Sequence, residues 1–99
     1  MSVEVCKGSE TLIVTGELDL ASADGFVECA SSLTGHPQEL ALDLTGVEYM
    51  DSAGFRAILR LSNELGVHAL VLRHPQEDVL QFLDIVAADS VNGIRVERS

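Results

Sequence analysis

The chain has 99 residues, less than one typical domain of about 150, which points to a single domain over residues 1–99 and excludes a multidomain enzyme. Its hydrophobic content of 46% with only 4% aromatic residues describes an aliphatic core and excludes a disordered chain. Six Lys and Arg against 16 Asp and Glu give a formal net charge of -10, which opposes attraction to phosphate backbones and anionic lipid, so neither nucleic acid nor a membrane is an expected partner.

The opening Met1-Ser2-Val3-Glu4-Val5 lacks the basic and apolar regions of a signal peptide, and a cytoplasmic location is the expectation. Residues 3–6 alternate, residues 7–10 supply a turn and residues 11–15 are apolar and β-branched, a hairpin pattern that Gly16 ends. Ser22 is placed as the N-cap of a helix whose apolar face is Phe26, Ala30 and Leu33, stopped by Gly35 and Pro37. Residues 39–44 read as a largely buried strand because Ala41 puts an apolar residue on its second face. From 53 to 65 the period becomes helical, with Ile58, Leu61 and Leu65 on one face and Gly66 just past the end. Residues 67–72 form another apolar strand, so 39–72 make a βαβ unit with parallel strands. Pro75 fits the first position of a last helix carrying Val79, Phe82, Leu83 and Val86, and residues 93–96 close the chain as an edge strand. The expected architecture is an α/β domain, a small mixed sheet covered by helices.

The acidic excess is uneven. Residues 1–50 hold nine acidic residues and one basic one, and 51–99 hold seven and five, so the first half offers either a solubilising surface or an acidic docking face. Cys6 and Cys29 lack metal-type spacing and read as small buried hydrophobes in a reducing compartment. His36, His68 and His74 show no i, i+4 pairing for a metal; His36 reads as loop, His68 as strand and His74 as a possible helix cap.

The segment Leu42-Asp43-Leu44 through Asp51-Ser52-Ala53-Gly54-Phe55 leaves a buried strand, crosses a loop and enters a helix. Ser52 thereby falls at a strand's carboxyl end and a helix N-terminus, where free N–H groups favour anions. Two readings stand there: an N-cap at Asp51 or Ser52, worth about 1 kcal/mol, or a modifiable serine on a docking surface. Gly54 costs about 1 kcal/mol in a helix relative to alanine, so another backbone, the chain's own or a partner's, is expected to approach it closely. Phe55 is either a core residue or a docking anchor. Arg56 and Arg60, one turn apart, are solubilising residues, contacts for an acidic patch, or reach for a phosphate on Ser52.

Together with Gly16-Glu17-Leu18-Asp19 upstream and the Pro75 helix downstream, the Asp51-Ser52-x-Gly54 segment resembles the STAS domain family, specifically the bacterial anti-sigma factor antagonists, over essentially the whole chain. The resemblance implies a protein that is not an enzyme and binds no cofactor of its own. Unphosphorylated, such a protein binds a serine-kinase anti-sigma factor, which holds the ATP, and so frees a sigma factor for transcription. Phosphorylation at Ser52 weakens the complex, and a PP2C-type phosphatase reverses it. By the same carry-over Asp19 and Asp51 lie near the phosphoacceptor on the docking surface, and Ser52, Gly54, Phe55 and Arg56 complete the expected partner-binding residues. Ala53 and Phe55 depart from the Ser or Thr and the Leu common at these positions in phosphorylated members. The alternative within the family is a STAS subunit of a phospholipid-transport ABC complex that docks on its ATPase. An enzyme using Ser52 with His68 or His74 and Asp43 is disfavoured, because Ser52 is not in a Gly-x-Ser-x-Gly elbow.

Overall fold

The computed structural model describes residues 3–8, 11–35, 37–87 and 93–97. The N-terminal hairpin is strand β1 (Val3–Lys7) paired antiparallel with β2 (Leu12–Leu18). Helix α1 (Ala23–Leu33) leads to β3 (Glu39–Met50), α2 (Ser52–Leu65) to β4 (Ala69–Arg73), and α3 (Glu77–Ile85) to β5 (Ile94–Glu97). The strands lie in the order β1-β2-β3-β4-β5, parallel except for β1, which is the expected mixed sheet.

Successive residues of a strand face opposite sides. Leu40, Leu42 and Leu44 of β3 and Leu70 and Leu72 of β4 therefore share one side, where they form a single core with Phe26 of α1, Ile58 and Leu61 of α2, and Val79 and Leu83 of α3. All three helices thus cover one face of the sheet. Ala41 and Val71, of opposite parity, are buried outside that core, in register with each other and with Arg95. No helix among the described residues is long and apolar enough to cross a membrane.

Several expected boundaries move. Gly16 does not end the hairpin: β2 passes through it at a φ of 102°, a conformation open to glycine, and continues to Leu18. Correspondingly β3 runs on to Met50, its extra residues absorbed by two register irregularities against β2 before Leu18 pairs with Met50. The irregularities break the apolar alternation over Thr45–Tyr49, which hides the strand from a period-2 pattern. Pro75 lies one residue before the α3 N-cap, Gln76, rather than inside the helix. Cys6 and Cys29 are exposed free thiols, not core residues: Cys6 has the opposite parity to buried Val5, and Cys29 lies outside the stripe of Phe26, Val27 and Ala30. His68 is exposed and precedes β4, and His74 is exposed with a φ of 55° while Gln76 takes the cap. His36, Ser9 and Glu10 lie outside the described residues.

On the helix-free face Asp43 accepts from the Thr45 hydroxyl at 2.6 Å and the Thr45 N–H at 2.9 Å. These bonds, and then the positive fields of His74 and Arg73, hold its carboxyl below the ordinary 3.8. A depressed folded value stabilises the fold above the ordinary pKa and loses that effect as pH falls through the folded one. Asp43→Asn is accordingly expected to give a shallower loss of stability below pH ~4 than the wild type, read from urea midpoints along an acid series.

Candidate functional site

The carboxyl ends of β2 and β3 meet at the Leu18–Met50 pair, and the chain passes directly into α2. The Asp51 N–H donates to the Leu18 carbonyl at 3.1 Å. Asp51 itself is extended (φ -119°, ψ -175°), so its Oδ1 turns back to accept the Gly54 N–H at 2.9 Å, satisfying one of the helix's free donors. Of the two cap candidates, Asp51 does the capping. Ser52 is left exposed as the first residue of α2, at the positive end of the helix dipole.

Gly54 is buried against β2. A Cβ there would overlap the Leu18 carbonyl oxygen and stand 2.8 Å from the Leu18 Cβ. The close backbone expected beside Gly54 is thus the chain's own, and the first turn of α2 is clamped onto the end of β2. Phe55 is in the core, 7% exposed, its ring edge-on to Phe82 with centroids 6.4 Å apart. It supports the surface from beneath, and the anchor role expected of it does not fit that position.

The turn between β2 and α1 is held by its own polar groups. The Ser22 hydroxyl donates to the Glu17 carbonyl at 2.6 Å and accepts from the Asp19 N–H at 3.1 Å, while Asp19 Oδ1 accepts from the Ser22 N–H at 3.0 Å. Asp19 and Ser22 are 9% and 6% exposed. Asp19 is therefore drawn inward as a turn-forming residue beside the site, and Ser22 closes the turn rather than capping α1 with its side chain. Ser22→Ala strands the Asp19 N–H and the Glu17 carbonyl, and is expected to lower the unfolding free energy by about 1–2 kcal/mol in urea titration. Fastening the turn at both ends leaves Leu20 pushed into solvent, 79% exposed.

Leu20 forms one wall of an open cleft of about 370 Å³ between α1 and α2, with Ala23, Ala53 and Ala57 as its floor. Arg60 at the rim pairs with Asp24 of α1 at 2.8 Å and with Glu64 at 3.7 Å. Exposed Arg56 folds back so that its Nε donates to the Ser52 carbonyl at 3.3 Å. A larger cavity, about 520 Å³, lies at the far end of α2 around Gly66 and His68, away from Ser52.

A nucleophilic triad is not assembled. His68 precedes β4 whereas Ser52 follows the parallel β3, so they lie at opposite ends of the sheet. Asp43 pairs with Arg73 at the end of β4, and β3 then runs to Met50, about 20 Å of chain at roughly 3.3 Å per residue, before α2 begins. The structure brings together Asp51, Ser52, Gly54, Arg56 and the turn of Asp19. To these it adds Leu18, the buried end of β2, Ser22 as the residue that closes the turn, and Leu20, which no periodic pattern singles out because a turn residue obeys neither strand nor helix parity.

The STAS domain model matches residues 3–98. This chain belongs to the STAS domain family. Its fold is similar to that of a solved STAS protein, the anti-sigma factor antagonist SpoIIAA in its unphosphorylated form, with a TM-score of 0.58, 16% sequence identity, and coverage of 94% of this chain and 86% of that one. No curated protein sequence matches the chain. In this STAS domain the Asp-Ser-x-Gly segment divides its labour: aspartate caps, serine faces water, and glycine lets the helix seat on β2.

Proposed function

We propose that this STAS domain is a cytoplasmic anti-sigma factor antagonist that works by partner switching. Unphosphorylated, the edge formed by the Asp19–Ser22 turn and the first turns of α2 docks a serine-kinase anti-sigma factor and so releases a sigma factor for transcription. The kinase, with its own ATP, phosphorylates Ser52 and loses its grip; a PP2C-type phosphatase restores the docking form. The protein itself is a binding module, not an enzyme.

The observation that carries this reading is the exposure of Ser52 on the first turn of a helix whose cap is supplied by a different residue, Asp51. A modification of the serine leaves the cap intact. The phosphate adds a charge of about -1.5 to -2, which a helix N-terminus favours by roughly 0.3–1 kcal/mol. The same charge and bulk on a docked surface are costly to a partner.

The test is capture from native cell lysate on immobilised wild type and Ser52→Asp, with mass spectrometry of what is bound. Wild type is expected to retain a small kinase of the histidine-kinase-like ATPase class that Ser52→Asp does not. Recovery of an ABC ATPase equally on both would overturn the switch in favour of a transport-complex subunit.

A further inference from the structure

We propose that the cleft between α1 and α2 seats an apolar side chain of the docked protein, and that an acidic residue next to that side chain pairs with Arg56. This rests on the docking role assigned to the Ser52 edge and specifies the chemistry of what binds there.

The apolar half of the argument begins with Leu20. Burial stabilises a leucine side chain, yet here it is 79% exposed. It is not a loosely held side chain, because the turn that carries it is closed by the buried Asp19 and Ser22 bonds on either side. The turn is rigid and presents its leucine to water beside the methyl groups of Ala23, Ala53 and Ala57, with no hydrogen-bonding side chain on the cleft floor. A rigid apolar wall over a floor of small residues accepts an aliphatic or aromatic side chain, in the manner of an anchor pocket.

Charge supplies the other half. Of the two arginines at the rim, Arg60 already has Asp24 and Glu64. Arg56 has no carboxylate partner among the described residues and touches only the Ser52 carbonyl. On a chain of net charge -10, a guanidinium without a carboxylate at the edge of an apolar cleft is a local exception. The complementary surface presents a carboxylate beside its apolar anchor. This acidic and apolar pairing sets the cleft apart from the acidic remainder of the surface, which suits basic partners.

Random peptides of about a dozen residues displayed on phage test this whatever the identity of the partner. They are selected on the immobilised full chain, counter-selected on Leu20→Ser, and the enriched peptides titrated by heteronuclear NMR. Leu20 is exposed, so Leu20→Ser keeps the fold, which a thermal melt verifies. The expected peptides share an apolar residue close to Asp or Glu and shift the amides of residues 20–24 and 53–60. They should bind Leu20→Ser about tenfold more weakly and Arg56→Gln several-fold more weakly. No enrichment, peptides lacking an acidic residue, or equal binding to both variants would overturn the proposal. Ser52-dependent capture of a kinase is read separately, so either result stands when the other fails.

Discussion

Alanine at position 54 is expected to cost about 3 kcal/mol or more of unfolding free energy, the upper end of what overpacking does to a core. The reason is what the new methyl meets. Most oversized side chains push against other side chains, which rotate away, but the Gly54 position faces the Leu18 carbonyl oxygen, a backbone atom fixed by the β2–β3 ladder. Relief requires lifting the first turn of α2, which strains the Asp51 N–H bond to that same Leu18 carbonyl and the seating of Phe55. At roughly 4–8 °C per kcal/mol for a domain of this size, the melting temperature should fall by about 12–24 °C. Gly25→Ala is the matched control: nothing lies within 4 Å of its Cβ position in α1, and helix propensity alone predicts a gain of about 0.5–1 kcal/mol. Urea and thermal midpoints of both variants check the pair. A Gly54→Ala protein as stable as the control would mean that α2 is not clamped to β2 as described.

Phosphoserine at position 52 is expected to weaken the proposed kinase complex by about a hundredfold or more, equivalent to roughly 2.7 kcal/mol. Three effects add in the same direction. The phosphate must be desolvated under the docked protein; its charge opposes an acidic group brought toward the cleft; and, four residues before Arg56 on one helix face, it competes for that guanidinium. The isolated domain should by contrast melt within a degree or two of the unmodified one, since the helix terminus favours the charge. Titration calorimetry of phosphoserine-containing protein against the captured kinase, beside calorimetric melts, separates the two effects. A melting temperature lowered as far as in Gly54→Ala would show that modification acts by loosening the fold, not by blocking a surface.

The elements that bury a continuous stripe were legible in the amino-acid order. Phe26 and Ala30, Ile58 and Leu61, and Val79 and Leu83 recur at helical spacing and do form the helix side of the core. Gly66 terminates α2 as expected of a residue in the left-handed region. What could not be read was anything fixed by contacts distant in sequence. The extension of β3 to Met50 depends on pairing with an equally extended β2, across irregularities that erase the alternation. The inward position of Phe55 is completed by Phe82 on another helix, while Asp19 is drawn in by a short turn with Ser22 that follows neither the strand nor the helix period. Around Ser52 the motif gave the cast of residues, and the long-range contacts divided them into those that face solvent and those that hold the surface in place.

The uneven pairing of β3 has a consequence for motion. From Glu39 to Ala41 the strand is paired with β4 alone, at Leu42 and Asp43 with both β2 and β4, and beyond Asp43 its ladder continues with β2 alone, tied on the other side by the Gln76 amide to the Thr45 carbonyl. Opening the Thr45–Met50 ribbon therefore disrupts one ladder where opening the strand at Leu42 and Asp43 disrupts two, so β3 is held most firmly at its middle and less so where it reaches α2. The Asp19–Ser22 turn and the entry to α2, each closed by its own hydrogen bonds, sit at the far end of that ribbon. A partner docked there, as proposed, would bridge the two strands that this single ladder joins, so its binding would also hold shut the part of β3 that the sheet supports on one side only.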